Sequence, residues 1–211
     1  MSKNLRKIKI ILAGDTGVGK TTILNQYFNN IFSDKTLTTL GSEYKTKEIE
    51  IKGEKIKLEI WDTPGQIRLR GITKNFIQNS DIGIMVCDIT NKKSFINLKD
   101  WYSTFDNVIN INDIIIGIAA NKSDLIEKEQ VHLIDINNFA NSINSKAFST
   151  SGKDHQCIEE MIDILTQDYY DKFLFRNSNN KNNISLDSKE YKELGSKKYK
   201  KFNSNKPKSC C

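Results

Sequence analysis

The chain has 211 residues, 27% of them charged and 37% hydrophobic, which suits one well-buried soluble domain with a tail. No run approaches the roughly 18 apolar residues of a membrane span. The net charge of +6 is unevenly placed: residues 176–211 carry ten Lys/Arg against three Asp/Glu, a balance of +7 that leaves −1 for residues 1–175. A basic tail of this kind fits an anionic membrane, a nucleic acid or a solvated linker.

The N-terminus MSKNLRKIKIILAG places basic residues before a short apolar run. The run is short for a signal peptide and lacks a small-x-small cleavage site, so Lys7–Ala13 reads as a first buried strand. Helix Lys20–Asn29 follows. Strands Glu43–Ile51 and Ile56–Asp62 then flank Lys52-Gly53-Glu54, a hairpin with glycine in the turn. Next come helix Arg70–Asn79, strand Ile82–Asp88, helix Ser94–Val108 and strand Ile114–Asn121. A helix near Gln130–Ser142, a short strand Lys146–Ser149 and a final helix near Gln156–Phe173 complete the pattern. Continuous apolar strands alternating with amphipathic stretches predict a three-layer α/β sandwich. It should have about six mostly parallel strands, one antiparallel edge strand and about five flanking helices. The folded domain is expected over 1–175. Residues 176–211, dominated by Asn, Ser and Lys, are expected to be a disordered tail.

The cysteines at 87, 157, 210 and 211 show no zinc spacing. Cys87, within IGIMVCDIT, reads as a core thiol.

The first strand ends in GDTGVGKTT, residues 14–22, which satisfies G-x-x-x-x-G-K-[ST] through Gly14, Gly19, Lys20 and Thr21. Between a strand and a helix, this pattern lets the backbone approach phosphate, with N–H groups and the helix N-terminus favouring negative charge. Lys20 would reach the β/γ-phosphates and Thr21 would coordinate Mg²⁺. A plain glycine-rich turn leaves Lys20 unexplained. The motif alone does not separate ATP from GTP. ANKSD does so: it sets Asn121, Lys122 and Asp124 at a strand's carboxyl end, where α/β proteins bind ligands. A carboxylate accepts from the N1–H and exocyclic amine of guanine, and adenine offers neither donor there. STSGK, with Ser151, Gly152 and Lys153, fits a loop closing over the base.

GDTGVGKT, TTLG, WDTPGQ, NKSD and TSGK stand in the order and spacing of Ras-superfamily small GTPases, a resemblance covering about residues 5–175. It implies GTP and GDP as ligands and Mg²⁺ as cofactor. The nucleotide would contact Gly14, Asp15, Thr16, Gly17, Val18, Gly19, Lys20, Thr21 and Thr22. Thr39 matches the switch I threonine that engages Mg²⁺ and γ-phosphate, and Phe32 the aromatic set edgewise on guanine. Asp62 matches the carboxylate that reaches Mg²⁺ through water, and Gly65 the glycine whose N–H senses γ-phosphate. Gln66 matches the residue that orients the attacking water, so hydrolysis would rest on Gln66, Lys20 and Gly65. Residues 14–19 offer no arginine for the developing charge, and Arg68 and Arg70 match positions that support the switch. The resemblance therefore implies slow turnover, on the order of 10⁻⁴ s⁻¹ as in Ras itself, and dependence on an activating protein.

Within the superfamily, Asp15-Thr16, TTLGSEYKTKEI and WDT resemble the Rab branch. Serine at position 2 excludes an N-myristoyl glycine, and the terminal Cys210-Cys211 resembles a double geranylgeranylation site. Two chains, or one with basic residues, anchor stably where one is marginal. The resemblance implies a lipid-anchored protein on the cytoplasmic face of an intracellular or plasma membrane, with a cytosolic pool and a role in vesicle trafficking. Its implied partners are an exchange factor, an activating protein, effectors, an escort protein and a dissociation inhibitor, and no nucleic acid. The effector region would be Thr36, Leu37, Thr38, Thr39, Leu40, Gly41, Ser42, Glu43 and Tyr44. The chain departs from the Rab pattern here, with Leu40-Gly41-Ser42-Glu43-Tyr44 for I-G-V-D-F. It also has Asn75-Phe76-Ile77-Gln78-Asn79 where Tyr-Tyr-Arg-Gly is usual.

Pro64 and Ile67 flank Gly65-Gln66. Proline fixes φ and removes an N–H one residue before the glycine that moves, which predicts a stiffer switch and altered rates. A GTP-binding scaffold without hydrolysis is the competing expectation.

Overall fold

The computed structural model describes residues 5–33, 39, 41–66, 68 and 70–175. The predicted tail 176–211, with Cys210 and Cys211, lies outside them, as do Thr36, Leu37, Thr38, Leu40 and Ile67.

The six strands are β1 (Arg6–Ala13), β2 (Glu43–Ile51), β3 (Glu54–Asp62), β4 (Ile82–Asp88), β5 (Ile115–Asn121) and β6 (Lys146–Ser149). They form one sheet in the order β2-β3-β1-β4-β5-β6, parallel except for the antiparallel β2–β3 pair at one edge. This is the expected α/β sandwich. Among the described residues six α-helices accompany it: α1 (Lys20–Asn29), α2 (Arg70–Ile77), α3 (Lys92–Ile96), α4 (Leu98–Asp106), α5 (Leu133–Ser142) and α6 (Ile158–Tyr169).

Alternation along each strand splits the core in two. In β1, Ile8, Ile10 and Leu12 join Ile23, Leu24, Met161 and Leu165 of α1 and α6 on one face. Ile11 and Ala13 face the other way, among Ile77, Trp101, Phe105 and Ile136 of α2, α4 and α5. Cys87 lies in this second layer as expected, and burial pushes its thiol up to about 12.

Of the boundaries that differ from the sequence reading, four have a visible structural cause. β3 begins two residues early because Ile51 pairs with Glu54, leaving a two-residue turn in which Lys52 (φ 51) and Gly53 (φ 81) are both left-handed. The helix expected over Ser94–Val108 divides at Asn97, so five expected helices become six. α5 starts at Leu133 and not near Gln130, since the N–H groups of Gln130 and Val131 are held by the Ile89 carbonyl. α6 gives way to a π-helical turn, Tyr170–Phe175.

Candidate functional site

The carboxyl ends of β1, β3, β4 and β5 bring the predicted residues to one edge of the sheet. Between β1 and α1, the loop from Gly14 to Gly19 curls around the Lys20 ammonium, which donates to the Gly14 and Asp15 carbonyls at 2.8 and 2.9 Å. Lys20 is 6% exposed. Burial lowers its pKa to about 8, opposed by the charges of Asp62 and Asp15. Gly19 stands at φ 98, and a Cβ there would lie 2.3 Å from Asn121 Nδ2, so glycine is required on both counts. Thr16 and Gly17 are exposed at the tip of the loop, while Gly14 and Val18 are buried.

Three oxygen-bearing side chains converge beside Lys20. Thr21 Oγ1 donates to Asp62 Oδ2 at 2.5 Å and lies 2.9 Å from Thr39 Oγ1. Thr39 Oγ1 in turn reaches Asp62 Oδ2 at 3.3 Å. Asp62 is 2% exposed, yet among the described residues its buried Oδ1 finds no hydrogen-bond partner. Burial raises its pKa, against hydrogen bonds from Thr21 and Thr39 and the charge of Lys20. A buried carboxylate oxygen of this kind calls for a proton, a donor or a cation. Among the described residues no three His, Cys, Asp or Glu gather as a metal cluster. The donors here are hydroxyls and one carboxylate.

β3 runs into Thr63, Pro64 and Gly65, all buried, and then half-buried Gln66. Thr63 Oγ1 donates to the Leu12 carbonyl at 2.8 Å, which ties this segment to β1 just before the phosphate loop. Gly65 lies against that loop: a Cβ there would come 2.5 Å from the Asp15 carbonyl carbon and the Thr16 nitrogen.

On the far side, Asn121 closes β5 and joins two loops. Its Nδ2 donates to the Val18 carbonyl at 2.8 Å, and its Oδ1 accepts from Thr150 Oγ1 and the Gly152 N–H, both at 3.3 Å. Gly152 packs on Thr22, where a Cβ would meet Thr22 Cγ2 at 2.7 Å. Ser151 Oγ donates to Asp124 Oδ1 at 2.7 Å and accepts from the N–H groups of Lys153 and Asp154. The serine thus fixes the orientation of the carboxylate that would read the base. Lys153 itself is exposed. Phe32 is also exposed, on the loop after α1, and takes no part in this hydrogen-bonded set.

Several participants are absent from the motifs. Asp88 closes β4 directly opposite Asn121 and pairs with Lys122 Nζ at 2.6 Å, while accepting from the N–H and hydroxyl of Thr90. Its sequence signal is an acidic residue closing an apolar strand at the ligand end of the sheet. Asn97, at the junction of α3 and α4, and Trp101 of α4 bind the Asp15 carboxylate across more than 80 residues, and no local pattern announces them. In the expected effector region, Gly41, Glu43 and Tyr44 are exposed and Ser42 is half-buried. Tyr44 stacks on Trp61 at 4.5 Å, and Trp61 meets Phe76 at 5.6 Å. The pairing of Tyr44 opposite Trp61 follows from the hairpin register.

The family model described as the Ras family matches residues 9–171 of the chain. GTP-binding protein ypt1 of Schizosaccharomyces pombe is 32% identical over 183 residues, covering 84% of this chain and 89% of that protein. Ras-related protein Rab-1A of Dictyostelium discoideum is 36% identical over 154 residues, covering 72% and 75%. Human Ras-related protein Rab-21 is 35% identical over 153 residues, covering 72% and 68%. The match spans the phosphate loop, the Thr21–Asp62 cluster and the NKSD segment alike, and the chain belongs to the Ras family as a Rab-type small GTPase.

Proposed function

We propose that this Rab-type GTPase binds GTP and GDP with Mg²⁺, hydrolyses GTP slowly, and acts as a membrane-anchored switch in vesicle trafficking. The observation that carries the reading is the convergence of Lys20, Thr21, Thr39 and Asp62 at one end of a sheet whose other loops present Asn121 and Asp124. Phosphate would sit against the loop N–H groups of residues 14–21, with Lys20 donating to β- and γ-oxygens. Guanine would meet Asp124, flanked by Lys122, the Ser151–Lys153 loop and Phe32.

The unpartnered Asp62 Oδ1 and the oxygen-only donor set fit a small hard cation. Thr21 and Thr39 would hold Mg²⁺ directly and Asp62 through water. When bound, that ion neutralises charge on the phosphate oxygens. Gly65 would offer its N–H to γ-phosphate and Gln66 would orient the water. Pro64, buried and one residue upstream, sets the stiffness of that turn.

Cys210 and Cys211 would carry geranylgeranyl groups, and Lys197, Lys198, Lys200, Lys201, Lys206 and Lys208 would add attraction to the anionic cytoplasmic leaflet. An escort protein and a dissociation inhibitor would maintain the cytosolic pool. Tyr44, Trp61 and Phe76 belong to the surface that effectors would meet, beside an exchange factor and an activating protein.

Single-turnover hydrolysis of radiolabelled GTP, with Mg²⁺, is the test. Phosphate release on the order of 10⁻⁴ s⁻¹, abolished in Gln66→Leu with GTP still bound, is the expected result. Tight GTP binding with no release from wild type or variant would leave a non-hydrolysing scaffold instead. Replacing both terminal cysteines with serine should leave the protein cytosolic in fractionated cells.

A further inference from the structure

Asp15 sets a problem for a loop built to hold polyphosphate. It is a carboxylate one residue after Gly14, in a segment whose exposed N–H groups and lysine favour negative charge. An Asp15 side chain turned toward the nucleotide would repel it. In the fold, both carboxylate oxygens point elsewhere: Oδ2 accepts from Asn97 Nδ2 at 2.6 Å and Oδ1 from Trp101 Nε1 at 3.0 Å.

The two donors come from the place where the predicted helix divides. Asn97 ends α3 and begins α4, and its own carbonyl accepts from both the Asp100 and Trp101 N–H groups. Asn97 and Trp101 are four residues apart and so share one face of the turn. Asn97 makes no side-chain cap to α4; its amide Nδ2 is turned to Asp15. Trp101 is fully buried in the second core layer, so its indole is a fixed donor.

The Asp15 main chain is engaged on two further sides. Its carbonyl accepts from Lys20 Nζ at 2.9 Å, and Gly65 rests against its carbonyl carbon and oxygen. We propose that Asn97 and Trp101 are positioning residues for nucleotide binding: they draw the Asp15 carboxylate away from the phosphates and hold its main chain where Lys20 and Gly65 meet it. This rests on the nucleotide reading above. It assigns the α3–α4 junction a part in setting the residence time of bound nucleotide.

The pair allows a reciprocal test, with mant-GDP dissociation read by stopped flow. Asn97→Asp sets two carboxylates against each other and should speed dissociation about tenfold. Adding Asp15→Asn to that chain restores one amide and one carboxylate with donor and acceptor exchanged, and should return the rate to within about threefold of wild type. Loss of packing alone would not be repaired by a second change at residue 15. Trp101→Phe, which keeps the ring and removes the donor, should speed dissociation severalfold, with circular dichroism checking the fold. An Asn97→Asp rate within twofold of wild type, or an exchanged pair no slower than Asn97→Asp, would overturn the proposal. Failure of wild type to bind mant-GDP would instead remove the nucleotide reading on which the proposal stands.

Discussion

The two ends of the sheet each hold an aspartate, half-buried Asp81 at one and buried Asp62 at the other, and they treat it in opposite ways. At the amino edge of β4, Asp81 uses both oxygens: Oδ2 accepts from the Lys9 N–H at 2.7 Å and Oδ1 from the Tyr169 hydroxyl. Around it, Tyr170 reaches Glu54 at 3.0 Å, Lys52 pairs with Asp171 at 2.5 Å, and Lys146 pairs with Asp168 at 2.5 Å. At the carboxyl end, Asp62 Oδ1 has no partner among the described residues, and the Lys20 ammonium donates to neutral carbonyls. Burial raises the pKa of both aspartates, yet only Asp81 has a hydrogen bond on each oxygen among the described residues. One end completes the fold within itself; the other leaves charge to be balanced by something that arrives.

Lys20→Met should break this contrast most strongly. It would remove the charge-assisted bonds proposed to phosphate, and calorimetry should show GDP affinity falling at least about a hundredfold, some 3 kcal/mol. At the other end, Asp81→Ala strands the Lys9 N–H and the Tyr169 hydroxyl. It should cost about 2–3 kcal/mol of stability in urea unfolding at fixed GDP, while GDP affinity stays within twofold. A GDP effect as large as that of Lys20→Met would show that the two ends are not independent.

Acidity sharpens the same distinction. The unfolded chain keeps the Lys20 proton up to the ordinary lysine value of 10.5, while the folded, nucleotide-free protein keeps it only to about 8. Between those values the unfolded state binds more protons, so this group makes stability rise with pH. Phosphate favours the charged form, so GDP affinity should fall in the same window, by about tenfold from pH 7 to pH 9. Titrations at several pH values, referenced to Lys20→Met, would isolate that contribution. A flat difference between the two proteins would argue against a lysine buried in this way. The smallest effect is expected from Lys146→Ala. Its ion pair with Asp168 is 42% and 31% exposed, and its loss should cost no more than about 1 kcal/mol in the same urea measurement.

How much of this could be read from residues alone depended on the range of the interaction. Helix Lys20–Asn29 and strand Ile82–Asp88 form over their predicted residues, because a glycine-rich turn and a continuous apolar run are local signals. The break at Asn97 was not legible: that residue keeps helical angles (φ −71, ψ −8), so the apolar pattern runs through it without interruption. The late start of α5 depends on the Ile89 carbonyl, some forty residues upstream, which no helix-start rule can see. In the site, Lys20, Thr21, Asp62, Asn121 and Asp124 announce themselves through motifs whose spacing follows from the ligand's chemistry. Asp88, Asn97 and Trp101 stand outside the motifs and would not meet the ligand themselves. They hold the residues that would, and a holding contact needs only to be made somewhere in the folded chain.

The π-helical turn Tyr170–Phe175 has a mechanical consequence. It leaves the domain at the edge where Tyr170 grips Glu54, Lys52 meets Asp171 and Lys172 donates to the Asn112 carbonyl at 2.9 Å. Tension applied through the chain beyond Phe175 would enter at this self-satisfied edge and be carried along the strands. The loops proposed to hold nucleotide stand at the far end of that path, so a pull on the chain from this side would load the strands before it reached them.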